Sequence, residues 1–200
     1  MGDLLPVSAA RASFGKQDKT GENREADKKL MHYLAEHQHM TPFEYQHATF
    51  LIECPLFIRS QIHRHRTFSY NEISRRYTSD NLEFWKPDVW RGQAKSNKQA
   101  SDGEVDDQSF CDVAYSNLVQ SSLNVYEGLL SKGVAREMAR AVLPQSLLTR
   151  FYMGGNLRNW AHFIHLRRDD HAQKEVRIVA DRIAQSLQTL WPESCKALGI

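Results

Sequence analysis

Between Arg64 and Tyr77 the chain sets four arginines, a histidine, a glutamate, an asparagine and five hydroxyl side chains into fourteen consecutive positions, with Ile73 as the one aliphatic residue. Such a stretch cannot be a core element, because each buried polar group left without a partner costs roughly 1–3 kcal/mol. It must meet water or a polar ligand, and the rest of the chain has to fold so as to present it.

Arginine stays charged at any working pH and offers a planar fork of donors suited to phosphate or to a deprotonated amide. Several of them together imply an anionic ligand. If helical, Arg64 and Arg66 would stand about 200 degrees apart around the axis and reach different groups. If extended, Glu72, Ser74 and Arg76 would share one face, presenting an acceptor, a hydroxyl and a cation to one molecule. Three other readings stand beside a nucleotide site: a solvated basic loop, a single-stranded nucleic-acid-binding surface with Phe68, Tyr70 and Tyr77 as stacking platforms, and a metal-dependent phosphohydrolase using His63 and His65.

The flanking sequence reads as a mount for this segment. Ala48, Phe50, Ile52 and Cys54 alternate with Thr49, Leu51 and Glu53 as in a half-buried strand. Pro55 then suits the first turn of a helix whose apolar face is Leu56, Phe57, Ile58 and Ile62, and which delivers Gln61, Arg64 and Arg66 at its far end. Ahead of it, Ala26, Leu30, Tyr33, Leu34 and His37 predict an amphipathic helix from Gly21 to about His37, with Pro42 ending it and biasing Thr41 to extended backbone. Ala9–Phe14 reads as a strand or a ligand-facing turn. Residues 80–107 form a polar surface excursion. Beyond it come a helix from about Asp107 to Lys132 with Phe110, Val113, Ala114, Leu118, Val125 and Leu129 on its apolar side, and another from Val134 to Leu143 carrying Arg136 and Arg140. A strand from Leu147 to Met153 follows, then a tight Gly154–Gly155 turn and a helix from Asn156. The last helix spans about Asp170 to Leu190, ended by Pro192, with an unremarkable tail. The expected fold is a single α+β domain over residues 1–200, a mixed sheet flanked by helices.

Arg64-His65-Arg66, seven residues and then Ser74, with Ser69-Tyr70-Asn71-Glu72 and Arg76-Tyr77 around it, resembles the signature of the flavin-dependent thymidylate synthases. Three further stretches are similar to that family: His39-x-Thr41-Pro42-Phe43-Glu44, the run Arg136-Glu137-x-Ala139-Arg140-x-Val142-Leu143-Pro144, and Asn156-x-Arg158-x-x-x-His162-Phe163-x-x-Leu166-Arg167, continued by His171-Ala172-Gln173-x-Glu175. The resemblance runs from about Ala9 to about Glu175. It implies an enzyme that makes dTMP from dUMP with methylenetetrahydrofolate, NADPH and bound FAD, as a homotetramer whose sites are shared between chains. Carried over by position, it implies Gln61, Arg64, Glu72, Ser74, Arg75, Arg76, Arg140 and Arg167 at dUMP. It implies Thr41, Arg64, His65, Arg66, Thr67, Glu72, Asn156, Arg158 and His162 at FAD, with Arg11 and Ser13 as weaker additions near flavin and folate. Arg167 takes the catalytic role, a cation against the uracil imide. Family members can carry asparagine where His162 stands.

With 26 basic and 24 acidic residues the net charge is +2, so no bulk attraction to nucleic acid or anionic membrane is implied and an anion site must come from local clustering. No apolar run approaches the roughly 18 residues of a membrane span, and the N-terminus lacks a charged-then-apolar leader pattern, so a cytoplasmic protein is expected. Cys54, Cys111 and Cys195 are odd in number and far apart, which argues against a disulfide framework or a cysteine zinc site. The resemblance needs no cysteine nucleophile. A chain with all three cysteines replaced by alanine is therefore expected to keep measurable turnover, and complete loss in a folded variant would point to thiolate chemistry instead.

Overall fold

The computed structural model describes residues 2–13, 15, 19–78, 81–95 and 100–200. The fold is α+β, with helices α1 (Leu5–Ala12), α2 (Arg24–Glu36), α3 (Leu56–Ile62), α4 (Gln108–Ser131), α5 (Arg136–Ala139), α6 (Leu157–Arg168), α7 (Lys174–Leu190) and α8 (Pro192–Leu198). Strands are β1 (His47–Pro55), β2 (Ser69–Glu72), β3 (Arg91–Gln93), β4 (Ser101–Glu104) and β5 (Leu148–Asn156). Instead of one mixed sheet, the described strands make two small sheets, one of three strands in the order β1-β5-β2 and an antiparallel pair β3-β4. The elements divide into two compact units with interleaved segments: Met1–Phe50, His65–Tyr70 and Tyr152–Ile200 in the first, Leu51–Arg64 and Asn71–Phe151 in the second.

In the first unit α6 carries the core. Trp160, Phe163, Ile164 and Leu157 are buried, α6 packs along α7, and α7 contributes Val176, Ala180, Ile183 and Leu187. Trp160 Nε1 donates to the carbonyls of Ala48 and Gly155 at 3.2 and 3.1 Å, so its polar edge is satisfied inside the core. Asn156 caps α6 by accepting from Asn159 N at 2.9 Å. The tail is more than a coda: Pro192 opens α8 instead of merely ending α7, and Cys195, Leu198 and Ile200 are buried. Asp3 holds that helix start, accepting from the backbone N–H of Glu193 and of Ser194 at 2.8 and 2.9 Å.

Helix α2 is capped by Asn23, which accepts from Ala26 N at 3.1 Å, and it ends before Pro42 matters. Gln38 adopts left-handed backbone at φ 58° while His39 N donates to Leu34 O at 2.8 Å, a helix-ending motif that frees Thr41–Tyr45 to form a 3₁₀ turn anchored by buried Phe43. Thr41 is therefore in a helical turn, not extended. The buried face of α2 is Asp27, Met31, Leu34 and Ala35, displaced from the expected stripe because the interior accepts Asp27 as an ion pair. Arg11 Nη2 lies 2.6 Å from Asp27 Oδ1, Gly21 N donates to Oδ2 at 2.8 Å, and Arg11 also donates to Thr20 Oγ1. The Ala9–Phe14 segment is thus mostly the last turns of α1, with Phe14 outside the described residues.

In the second unit Tyr126, Ala139, Leu143 and Leu147 form a buried cluster, joined by Leu56, Phe84, Leu129 and Leu130 at its edge. Only Tyr126 of α4 is buried; of the expected apolar side, Phe110, Val113, Leu118 and Val125 are 50–69% exposed and Ala114 is exposed, while Leu129 packs at the edge of the cluster. The expected helix over 134–143 is one α-turn followed by a 3₁₀ turn at Arg140–Val142. Within the 80–107 excursion, whose first residue lies outside the described set, Phe84 bridges to Leu147 and β3 pairs with β4.

Gly154 and Gly155 do not turn the chain but lie within β5. Glycine is needed for space: a Cβ on Gly155 would stand 2.5 Å from Phe68 Cδ1. Phe68 in turn packs its ring on Trp160, centroids 4.5 Å apart, which ties the arginine-rich segment to the core of the first unit. Gly155→Ala is expected to lower stability by about 1–3 kcal/mol through this overpacking, read as a drop in the urea unfolding midpoint.

Two histidines are held neutral by the fold. Burial, then the charges of Arg167 and His162, push His65 down to about 4. Burial and then Arg59 lower His63, against an opposing pull from Glu72. Between the ordinary histidine value of 6.5 and about 4, the unfolded chain takes up a proton that folded His65 refuses. The stability from His65 is therefore fully present above pH 6.5, is lost as pH falls toward 4, and changes no further below that. Urea titrations across this window should show a shallower loss for His65→Gln than for the parent chain; identical slopes would contradict the assignment.

Candidate active site

The predicted site residues fall into two sets, one in each unit. In the second unit a cleft of about 360 Å³ is lined by Arg59, Glu72, Ser74, Arg75, Arg140 and Thr149 above an apolar floor that includes Leu143 and Leu147. Four of the eight residues expected at the substrate, Glu72, Ser74, Arg75 and Arg140, meet here. Glu72 ends β2 and is held from two sides: Arg59 Nε donates to Oε2 at 2.9 Å, with its Nη2 on the same oxygen, and Thr149 Oγ1 donates to Oε1 at 2.7 Å. Beyond it the chain leaves the strand. Tyr77 N donates to Ser74 O at 3.1 Å and Arg76 N to Ser74 Oγ at 3.3 Å, closing a turn over residues 74–77.

That turn corrects the expected alternation. Because the extended backbone ends at Glu72, the cation joining Glu72 and Ser74 in the cleft is Arg75, while exposed Arg76 stands 3.7 Å from Glu137. Arg140 comes from the 3₁₀ turn after α5, its Nε donating to Glu137 O at 3.2 Å. Gln61 sits half-buried near the end of α3; Arg64 is exposed two residues past it. Arg59 and Thr149 were missed. Arg59 is the single charged residue of α3, so a cation in an otherwise apolar and neutral helix was the signal available.

The buried Cys54 has its thiol pushed up to about 12, by burial and then by Glu72 of this ion pair, and Cys195 in the first unit is likewise pushed up to about 12 by burial and then Asp3. Neither is poised as a thiolate.

In the first unit a larger cleft, about 980 Å³, is bordered by α6, α2 and the end of α8 with Gly199. Thr67, Arg158 and His162 from the predicted cofactor set line it, together with His32, Gln38, Asn159 and His165, which the sequence did not single out. Asn159 Nδ2 donates to Thr67 O at 2.9 Å, pinning the signature segment to α6, and Arg158 pairs with Glu44 at 2.5 Å. Thr41 and Arg66 are exposed, and the Asn156 side-chain oxygen is engaged in capping α6. Arg11 is committed to Asp27, and Ser13 is an exposed residue just past α1.

At the far end of α6, Arg167 Nε donates to His65 Nε2 at 2.9 Å. His65 is buried, its ring edge-on to Phe163 with centroids 4.8 Å apart, and Tyr70 Oη donates to His65 O at 2.8 Å. Burial lowers the pKa of Arg167 from its usual value, yet arginine so placed remains a cation. Among the described residues no three His, Cys, Asp or Glu side chains gather as a metal site requires, and no helix is long and apolar enough to cross a membrane.

Residues 2–193 match the family model described as thymidylate synthase complementing protein. The flavin-dependent thymidylate synthase of Thermus thermophilus is 43% identical over 190 residues, spanning 95% of this chain and 69% of that protein. That of Thermosipho africanus is 43% identical over 198 residues, spanning 98% of this chain and 85% of that protein. Among solved structures, the UMP/dUMP methylase PolB from Streptomyces cacaoi bound with 5-Br dUMP superposes with a TM-score of 0.90 at 33% identity, covering 99% of this chain and 90% of that one. With arginines and hydroxyls gathered on two clefts, and with relatives of this identity along nearly its whole length, the chain belongs to the flavin-dependent thymidylate synthase family.

Proposed function

We propose that this protein makes dTMP from dUMP by reductive methylation, with 5,10-methylenetetrahydrofolate as carbon donor and NADPH as reductant through bound FAD. The observation that carries this reading is the second unit's cleft, where Ser74, Arg75, Arg140 and a fixed carboxylate converge in a member of this family. Two guanidinium forks and a hydroxyl suit a nucleotide phosphate. Glu72, held by Arg59 and Thr149, presents an acceptor of fixed position to a sugar or base donor. The neighbour PolB holds 5-Br dUMP, a ligand of that chemistry. Arg64, Arg76 and Gln61 complete the substrate set in this proposal.

The larger cleft supports a dinucleotide cofactor: its volume lies at the upper end of the roughly 300–1,000 Å³ common for ligand sites, and its lining offers donors from Thr67, Arg158, Asn159 and His162. Thr41, Arg64, His65, Arg66, Glu72 and Asn156 belong with them in the proposed FAD set. FAD, when bound, supplies the relay of reducing equivalents. The chain's own task is to enrich the uracil ring carbon. Arg167, a partly desolvated cation, would favour the deprotonated imide by direct electrostatic stabilisation. The exposed apolar stripe of α4, with Phe110, Val113, Leu118 and Val125, supports assembly into a homotetramer with shared sites. The three free cysteines fit action in the reducing cytoplasm.

The test begins with the visible spectrum of the purified protein. A yellow protein whose flavin band bleaches with NADPH under anaerobic conditions, faster with dUMP present, and which forms dTMP once methylenetetrahydrofolate is added, is the expected result. A colourless protein that fails to take up added FAD would overturn the proposal.

A further inference from the structure

We infer that His65 is the positioning residue for Arg167, orienting its guanidinium through the Nε–H while leaving its charge intact. The inference rests on the reading above, in which Arg167 faces the uracil imide. Two contacts and one chemical constraint carry it. The contact is a well-formed hydrogen bond, Arg167 Nε to His65 Nε2 at 2.9 Å. The acceptor is itself immobilised, since the histidine is 7% exposed, packs edge-on to Phe163, and has its backbone carbonyl engaged by Tyr70 Oη. Finally, an arginine has only donors, so the histidine nitrogen facing it must be bare and the ring neutral, with its proton on Nδ1.

The choice of acceptor matters more than the hydrogen bond alone. A guanidinium is planar, so fixing one N–H fixes the plane and the direction of its other donors. A carboxylate could do the same, as Glu72 does for Arg59 and Glu44 for Arg158. It would also place a negative charge beside the cation and weaken its pull on a developing imide anion. Neutral imidazole orients without that cost. The low proton affinity of His65, set mainly by burial, keeps it in the accepting form through the neutral range. His65 thereby links the arginine-rich signature to the end of α6, a task within the protein that is additional to its place in the proposed FAD set.

The test uses the flavin-loaded enzyme. His65→Leu removes the acceptor and keeps an apolar side chain against Phe163; His65→Gln restores an oxygen acceptor of similar reach. Flavin content is read from the visible spectrum, dUMP affinity by titration, and kcat and KM by dTMP formation. Because His65 also belongs to the proposed FAD set, rates are taken per bound flavin: the expected outcome is that His65→Leu keeps dUMP affinity while kcat per bound flavin falls about tenfold to a hundredfold, as misplacement of a catalytic group does, and that His65→Gln regains most of it. Equal rates in both variants, or activity lost only in step with flavin, would overturn the inference.

A measurement on the parent enzyme guards against misfolded variants. Nitrogen NMR with ¹⁵N-labelled histidine should find His65 as the Nδ1–H tautomer with Nε2 bare at neutral pH, and the opposite tautomer would also overturn the inference. Arg167→Ala separates the two levels. If it turns over normally, the imide role fails; if it is inactive while His65→Leu runs at full rate, only the positioning role fails.

Discussion

Glu72 is held by Arg59 from one side and by Thr149 from the other, and the local architecture of the second unit follows from that fixed carboxylate. β2 ends at this residue, Ile73 N still donates to Arg150 O, and the residues after it close into the turn that brings Ser74 and Arg75 to the same cleft. The interaction also explains how an acid can sit in an arginine-lined cleft without being quenched by a movable cation. Its ion pair lies partly away from water, where a charge-assisted bond of fixed geometry outlasts the exposed pairs elsewhere on the chain.

Those exposed pairs serve differently. Arg76 with Glu137 and Arg150 with Glu53 lie at the surface, where an ion pair contributes about 0–1 kcal/mol. An arginine held that loosely can be given up to a phosphate at little cost. Arg158 with Glu44 sits at the edge of the larger cleft and is of the same exposed kind. The chain therefore uses its many arginines in three ways: fixed structurally by a buried acid, as Arg11 is by Asp27; parked on a surface acid; or oriented by a neutral acceptor, as Arg167 is by His65. Composition alone does not distinguish these, since all three contribute the same charge to the total.

Much of the fold was legible where the determining physics is local. Alternation gave β1 to within a residue at either end, helical spacing gave α4 and α7, and the helix expected from Asn156 opens there, with Asn156 as its cap. The errors lie where a distant partner decides. The stripe on α2 shifted because Arg11 made Asp27 buriable. Gly154 and Gly155 read as a turn because their sequence cannot reveal that Thr49 and Phe68 pack where their Cβ atoms would be. The apolar stripe of α4 is an ordinary helical pattern, and periodicity reports which residues share a face, not whether the face meets this chain or another.

The site divides along the same line. By itself the sequence determined the family and the residue types that matter, because a spaced signature of arginines, histidine, serine and glutamate lies in consecutive sequence and needs no coordinates to be read. Only the tertiary structure decided that Arg75 and not Arg76 turns into the cleft, that Arg59 and Thr149 support Glu72, and that His65 accepts from Arg167. Those choices join residues as far apart as 102 positions in the chain, and hydrogen bonds over such separations are set by how the elements pack, which no local pattern encodes.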